Sequence, residues 1–263
     1  SKKYKSCFIA FISEMMGEFY EIEFILESEN PVEKDDNTQP VEKNVSDYYN
    51  SLKQANLNMK YRFESFVVGS NNNMAHSACL AVAESPGKDF NPLFIYGSVG
   101  LGKTHLVHAI GLETKQRYPD KTVLYISAEQ FFQQYLDSVK NKTTNDFLQF
   151  YQMMIDVLII DDIQFFANKT GTQEVFFQIF NGLHSAGKQL IITSDKSPAE
   201  LSGLEQRVIS RLKWGLSADL QMPDAQTRIE IIEKKLFKDG ISMPKDVIEY
   251  LAYNINSSVR ELE

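Results

Sequence analysis

The chain has 263 residues, of which 43% are hydrophobic, and a formal net charge of −8 at pH 7. A chain of this length can bury one large core or two smaller ones, and its acidic balance argues against a protein that coats nucleic acid non-specifically. A local basic strip is still allowed, because affinity for phosphates depends on local charge.

The cysteines and the apolar runs indicate the compartment. Cys7 and Cys79 have no metal or redox spacing, so both are expected as free thiols in a reducing compartment, which predicts a cytoplasmic location. The four histidines form no ligand pattern with cysteines or carboxylates. No apolar stretch approaches the roughly 18 residues of a membrane span, and the run 7–12 is too short for a signal peptide, so no membrane segment is expected.

The first part of the chain differs in composition from the rest. Residues 1–29 predict a short helix and a strand over Ile22–Leu26, which is too little for a core of their own. Residues 30–60 are rich in polar residues and predict a flexible linker. The compact part is expected to cover residues 61–222, followed by helices alone over 223–263.

Strands and helices alternate from residue 61 onward. The predicted strands are Leu93–Tyr96, Val123–Ser127, Val157–Asp161, Gln189–Thr193 and Leu216–Leu220. The predicted helices are about 73–84, 103–117, 128–140, 143–151, 173–186 and 205–211, then 225–238, 244–254 and 257 onward. Apolar strands that alternate with helices predict an α/β fold with a parallel sheet covered on both faces, followed by a small helical appendage.

A complete phosphate-binding pattern, G-x-x-x-x-G-K-[ST], lies between the first predicted strand and the helix that follows it. Gly97, Gly100 and Gly102 allow the backbone to curl so that its N–H groups face phosphate oxygens. Lys103 would supply charge to the β- and γ-phosphates, and the Thr104 hydroxyl would ligate Mg²⁺. The alternative is a chance glycine-rich turn, which the full motif in a strand–loop–helix context disfavours.

Polar residues end two further predicted strands. Asp161 would hold Mg²⁺, and Asp162 would orient or deprotonate an attacking water, because ligands bind at the carboxyl ends of parallel strands. The stretch Thr193–Asp195 ends the fourth strand, where it could sense the γ-phosphate. Such residues also commonly end strands and cap helices, so taken alone each pattern has this simpler explanation.

Three arginines could contact a transferring phosphoryl group. Arg207 and Arg211 lie four apart on one predicted helix face, and Arg260 lies on the last predicted helix. A guanidinium can stabilise charge on the phosphoryl group, often from a neighbouring subunit. From the spacing alone, a solvated face or an ion pair with Glu205 is the better explanation for Arg207 and Arg211.

Taken together, these residues resemble the DnaA family of bacterial replication initiators, within the AAA+ ATPases, and most closely its Bacteroidetes members. The resemblance runs from about Tyr61 to Glu263. The motifs that carry it are residues 63–69, 91–97, 100–106, 160–165, 193–195 and 260–263. It implies an AAA+ three-layer fold with a parallel five-stranded sheet and a helical lid. It also implies that residues 1–29 are the remnant of an N-terminal partner-binding domain.

The resemblance implies an ATP-dependent initiator of DNA replication that binds ATP with Mg²⁺ and hydrolyses it slowly to ADP. It assigns Asp195 and Arg260 as the two sensors, and Arg211 as the finger that reaches the ATP of the adjacent protomer. Arg207 would serve assembly into a filament. Val67 and Val68 would lie against the adenine.

The resemblance also implies contacts with single-stranded origin DNA. An extra helix pair at about 128–151 would take part, and the matching contact residues are Leu136, Lys169 and Thr172. Two positions depart from the family pattern: Gly171 replaces a common basic residue, and Ser98 replaces a glycine in the phosphate loop. Duplex origin DNA would be bound only through a C-terminal domain, which is not expected within the residues up to Glu263. A replicative helicase is a further expected partner.

Three other functions stay open at this point. A helicase loader of the related AAA+ branch would lack the helix pair at 128–151. A regulatory relative that keeps only the ATPase part would stimulate hydrolysis by the initiator. A nucleotide-gated scaffold without hydrolysis is disfavoured by the presence of both Asp161 and Asp162.

Overall fold

A parallel sheet of five strands forms the centre of the protein. The computed structural model describes residues 55–256 and 258–262. The strands are β1 Leu93–Tyr96, β2 Val123–Ser127, β3 Val157–Asp161, β4 Gln189–Ser194 and β5 Leu216–Asp219, in the spatial order β2-β3-β4-β1-β5. All four pairings are parallel, as the alternation of apolar strands and helices predicted.

Helices cover both faces of the sheet. They are α1 Asn73–Glu84, α2 Lys103–Arg117, α3 Ala128–Lys140, α4 Thr144–Gln149, α5 Thr170–Ser185, α6 Gln206–Leu212, α7 Ala225–Asp239, α8 Lys245–Asn254 and α9 Val259–Leu262. Short 3₁₀ turns at Phe63–Ser65 and Ile163–Phe166, and a π turn at Phe150–Met154, join them. The predicted helix at 143–151 is therefore α4 plus part of this π turn, and the helix predicted from 173 begins at Thr170.

The strand side chains alternate between two hydrophobic clusters. In β1, Phe94 belongs to the cluster that contains α3 and α5, whereas Leu93 and Ile95 belong to the cluster that contains α1 and α2. Every residue of β3 and β4 is buried. This is the pattern of a sheet covered on both faces, and it makes the three-layer α/β architecture expected for an AAA+ domain.

A small helical unit follows β5. Asp224 caps α7 by accepting a hydrogen bond from the Thr227 N–H at 2.8 Å, and α7 ends at Gly240 in the left-handed conformation. The helices pack around a small cluster in which Ile232 and Ile248 are buried. None of the described helices combines the length and apolarity needed to cross a membrane.

Residues before the expected boundary at residue 61 already pack against the fold. Ala55 and Leu57 are buried in the cluster of α1 and α2, and the Ala55 carbonyl accepts a hydrogen bond from the Tyr125 N–H at 2.9 Å. Because residues 30–60 are mostly polar, the sequence did not predict that these few apolar residues would join the core. The expectations for residues 1–29, for Cys7 and for most of the linker lie outside the described residues, and the domain boundaries themselves stay predictions. Cys79 is a buried free thiol.

Candidate functional site

The loop between β1 and α2 has the backbone shape of a phosphate cradle. Gly100 and Gly102 both have positive φ, at 80° and 99°, a region that strains any residue with a Cβ. A Cβ at Gly102 would also lie 2.9 Å from the ring of Phe66. Ser98, which departs from the family pattern, is not among the described non-glycine residues with positive φ, so its side chain causes no such strain.

Lys103 begins α2 and folds back onto this loop. Its Nζ donates to the carbonyl oxygens of Gly97 at 2.7 Å and Ser98 at 3.0 Å. Burial lowers the pKa of Lys103, and the nearby carboxylates of Asp162 and Asp161 act in the opposite direction. The ammonium is thus held by weak carbonyl partners that a phosphate anion could replace.

Asp161 ends β3 as a buried carboxylate, only 4% exposed. Its Oδ2 accepts hydrogen bonds from the Thr104 hydroxyl at 2.8 Å and from the Tyr125 hydroxyl at 2.8 Å, and its Oδ1 accepts one from the Thr193 hydroxyl. Three hydroxyl donors compensate the burial of the charge. The sequence did not reveal Tyr125, because its role depends on the pairing of β2 with β3.

Asp162 follows in the left-handed conformation, with φ 61° and ψ 54°, and its side chain is exposed. Such a backbone costs about 1–3 kcal/mol in a non-glycine residue and is common at functional sites. Its N–H donates to the Thr193 Oγ1 at 2.8 Å, and its Oδ1 accepts from the Gln164 Nε2 at 3.0 Å. The turn therefore separates two adjacent carboxylates: Asp161 points inward, and Asp162 faces solvent.

Gln164 connects Asp162 to the end of β4. Its Oε1 accepts a hydrogen bond from the Asp195 N–H at 3.3 Å. The Asp195 Oδ1 is buried without a hydrogen-bond partner among the described residues. A cleft of about 480 Å³ lies beside the phosphate loop, lined by Gly97, Ser98 and Asp195 among others. Asp195 thus faces the loop. Gln164 lies within the motif 160–165, but the sequence predicted no role for it.

The lid contacts the same loop. The Val259 N–H donates to the Gly100 carbonyl at 3.0 Å, and a Cβ on Gly100 would lie 2.8 Å from the Cβ of Ser258 and 3.5 Å from that of Arg260. The Arg260 charge is near enough to lower the pKa of Lys103. The fold therefore brings Arg260 to the phosphate loop, which the spacing of the sequence could not show.

The segment that contains Val67 and Val68 borders the loop from the other side. Phe66 packs against Gly102 and stacks on His76 at 5.9 Å between ring centroids. The Asn72 side chain donates to the Val67 carbonyl at 3.0 Å, and Val68 is partly exposed. The predicted adenine contacts are therefore held close to the phosphate loop.

Arg207 and Arg211 lie elsewhere, on α6. Arg207 forms ion pairs with Glu174 and Glu205, as the simpler interpretation allowed. Arg211 lies with its Cζ 3.7 Å from the ring centroid of Trp214. The contacts that the structure gives these two arginines lie outside the site of their own chain, so neither is positioned to act there.

The predicted DNA-contact residues are only partly on one surface. Leu136 on α3 is 42% exposed. The Lys169 Nζ lies 3.9 Å from the Phe165 ring centroid and 5.4 Å from that of Phe132, which links the start of α5 to α3. Thr172, by contrast, is 2% exposed, because it lies on the inner side of α5, and its side chain does not share this surface.

Comparisons with known proteins identify the family of this chain. Residues 57–219 match the family described as the bacterial DnaA ATPase domain. The chain is 59% identical over 211 residues to the chromosomal replication initiator protein DnaA of Flavobacterium psychrophilum, an alignment that covers 80% of this chain and 44% of that protein. The chain thus spans less than half the length of this curated relative.

Two solved structures share the fold. Domain III of the Thermotoga maritima replication initiation protein DnaA superimposes with a TM-score of 0.76 at 45% identity, covering 78% of this chain and 85% of that one. A replication initiator DnaA bound to AMPPCP and single-stranded DNA superimposes with a TM-score of 0.73 at 41% identity, covering 78% and 63%. The expected AAA+ architecture and Bacteroidetes kinship are confirmed, and the chain belongs to the bacterial DnaA ATPase-domain family.

Proposed function

We propose that this chain is the nucleotide-dependent core of a chromosomal replication initiator. It binds ATP, hydrolyses it slowly to ADP and phosphate, assembles with further copies and engages single-stranded origin DNA. The observation that carries the proposal is the convergence of Lys103, Asp161, Asp162 and Asp195 with lid residue Arg260 at one phosphate loop. The relative with bound AMPPCP and single-stranded DNA supports it. Such a protein works in the cytoplasm, where the bacterial chromosome lies.

ATP would replace the internal contacts of the loop. The Lys103 ammonium would leave the carbonyls of Gly97 and Ser98 for the β- and γ-phosphates, which are stronger, charge-assisted partners. Arg260 and Asp195 would face the γ-phosphate from the lid and from β4. Since only ATP carries that phosphate, these two groups give the site a means to distinguish ATP from ADP.

The residues present fit a magnesium ion that arrives with the nucleotide. Thr104 and Asp161 place a hydroxyl and a carboxylate oxygen 2.8 Å apart, and Mg²⁺ in such sites takes one or two protein oxygens and completes its shell with phosphates and water. The described residues contain no cluster of three or more His, Cys, Asp or Glu that could hold a metal alone. Bound there, the ion would neutralise phosphate charge.

Asp162 is the group best placed to handle the water. It is exposed, whereas Asp161 is buried and accepts hydrogen bonds from three hydroxyl groups. In hydrolysis the water oxygen bonds to the γ-phosphorus, the bond from that phosphorus to ADP breaks, and Asp162 orients the water and accepts its proton. Gln164 would fix the carboxylate through its hydrogen bond at 3.0 Å.

Assembly would supply the group that the site of one chain lacks. Arg211 would reach the ATP of the adjacent copy, and Arg207 would support the interface. The helix pair α3–α4, which the helicase-loader alternative would lack, would provide the DNA surface with Leu136 and Lys169. Contacts with duplex origin DNA and with a helicase stay predictions for the whole protein.

The experiment that tests this function is fluorescence anisotropy of a labelled oligo-dT at low salt, in ATP and then in ADP. We expect binding in ATP, little in ADP, and none with Lys103→Ala. Lys169→Ala should weaken the ATP-dependent binding, whereas Lys88→Ala, at an exposed lysine after α1 and away from the helix pair α3–α4, should change it little. Equal binding in both nucleotides, or none, would contradict the coupling; single-turnover hydrolysis gives the rate separately.

A further inference from the structure

Arg211 differs from its neighbour Arg207 in how its charge is balanced. Arg207 has two carboxylate partners, Glu174 and Glu205. Within residues 55–256 and 258–262, no carboxylate forms an ion pair with Arg211, and its only hydrogen bond runs from Nε to the Asn181 Oδ1 at 2.9 Å. Its positive charge is therefore fixed in place but not neutralised, which leaves it available to an anion.

Neutral groups hold the Arg211 guanidinium. Its Cζ lies 3.7 Å from the ring centroid of Trp214, a cation–π distance. The indole in turn contacts His184 with 5.1 Å between ring centroids, and Phe180 with 6.4 Å. Asn181 and His184 both belong to α5, so the arginine on α6 is held against a neighbouring, well-packed helix.

We propose that Trp214 and Asn181 are positioning residues that hold Arg211 ready for the γ-phosphate of ATP bound to a second copy of this chain. The inference rests on the proposed function. A π face and an amide oxygen fix the planar guanidinium without cancelling its charge, whereas a carboxylate would compete with the phosphate. Preorganisation of this kind removes the cost of ordering a long side chain when the copies meet.

A mixing experiment tests this directly. The acceptor carries Arg211→Ala, so it binds ATP but offers no finger; the donor carries Lys103→Ala, so it offers Arg211 but turns over no ATP. The mixture should hydrolyse ATP faster than either variant alone. Adding Trp214→Ala to the donor should reduce this stimulation about threefold to tenfold, and Trp214→Phe, which keeps a π face, should retain most of it.

The location of the effect separates positioning from folding. Trp214→Ala placed in the acceptor should change nothing, since that copy already lacks Arg211. Tyr253→Ala in the donor removes an aromatic of similar exposure on the lid and serves as the matched control. Asn181→Ala in the donor should reduce the stimulation about fivefold, as expected for one lost hydrogen bond. Equal losses from Trp214→Ala in donor and acceptor would overturn the inference.

Two further outcomes distinguish this inference from the proposed function. Stimulation that survives Trp214→Ala and Asn181→Ala in the donor would overturn the positioning role alone and leave the intersubunit finger intact. No stimulation in the unmodified mixture, although the acceptor binds ATP, would overturn the finger and the inference with it.

A spectroscopic readout is independent of hydrolysis. Trp214 is the one tryptophan in the sequence, so its emission reports this contact in each copy. Arg211→Met should change the emission of the isolated chain, and so should Asn181→Ala, because each disturbs the cation over the ring. Unchanged emission in both variants would show that the stack is not formed in solution and would overturn the inference.

Discussion

Tyr125→Phe is the change that tests the buried carboxylate at the centre of the site. It deletes one hydroxyl and keeps the ring that packs on His108 with 4.0 Å between centroids. The hydroxyl donates to the Asp161 Oδ2 at 2.8 Å. Burial, and next the Asp161 charge, raise the pKa of Tyr125, so the phenol remains a donor throughout the working pH range. The variant removes a constant hydrogen bond and little else.

The magnitude follows from the acceptor. A hydrogen bond to a charged group contributes about 1.5–3 kcal/mol, and Asp161, 4% exposed, cannot recover the lost donor from bulk water. Thr104 and Thr193 still donate to the carboxylate, so the loss should not exceed this range. For a domain of this size about 1 kcal/mol corresponds to roughly 2–4 °C in Tm, which predicts a decrease of roughly 3–12 °C.

Thermal unfolding without nucleotide, followed by circular dichroism, measures the effect. Tyr151→Phe is the matched control: Tyr151 is buried, and its hydroxyl donates at 2.7 Å to the Oε1 of Gln134, an exposed neutral side chain that water can solvate afterwards. The control should cost only about 0.5–1.5 kcal/mol. A Tm decrease for Tyr125→Phe equal to or smaller than that of Tyr151→Phe would refute the reasoning that Asp161 is a charged, water-excluded acceptor.

Three further predictions concern the lid, the DNA surface and pH. Arg260→Ala should weaken ATP binding about tenfold and ADP binding much less, measured by titration with fluorescent nucleotides, because only ATP offers a γ-phosphate near the lid. Gly171→Lys should strengthen oligo-dT binding, since it adds one phosphate contact, and should steepen the slope of log affinity against log salt concentration by roughly 0.7. The new Cβ would lie 3.2 Å from the Tyr135 hydroxyl, which must shift slightly. Burial lowers the pKa of His108 from 6.5 to about 4. Between these two pH values the unfolded chain binds more protons than the folded chain, so the free energy of unfolding falls as pH falls. His108→Gln should therefore flatten the dependence of Tm on pH between 6.5 and 4.

Each of these three predictions has an outcome that would contradict it. Equal weakening of ATP and ADP by Arg260→Ala would show a general effect on the lid. An unchanged salt slope for Gly171→Lys would mean that DNA does not pass this part of α5. Parallel Tm profiles of wild type and His108→Gln would show that the imidazole is solvated.

The local parts of the fold could be read from the sequence because their causes are local. The continuous apolar run 157–160, which is followed by Asp161, has few alternatives to a buried strand, and the bounds predicted for three of the five strands agree with the structure. The phosphate loop was equally clear, since its glycines and Lys103 are contiguous in sequence.

Features that depend on pairing between distant segments could not be read in this way. Tyr125 reaches Asp161 only because β2 pairs with β3 in the register Ser127↔Asp161. Thr172 matched a DNA contact by its position in the sequence, yet its side chain lies on the buried side of α5. No local sequence pattern around Thr172 indicates this burial. The packing of Leu57 under α2 could not be predicted for the same reason. A few apolar residues in a polar stretch can be assigned to a core only when the elements that cover them are known.

The contacts of the phosphate loop connect the nucleotide site to the rest of the molecule. The phosphate loop is in contact with the lid at Gly100, through Val259 and Ser258, and with the adenine-side segment at Gly102, through Phe66. A ligand shifts an equilibrium only by its differential affinity for the two states. ATP and ADP share every contact except those of the γ-phosphate. In the proposed function, the difference between them therefore acts through the groups that face this phosphate, which are Lys103, Arg260, Asp195 and the finger of a second copy. The two nucleotides would then be distinguished by how the lid, the phosphate loop and the neighbouring copy are arranged around the γ-phosphate.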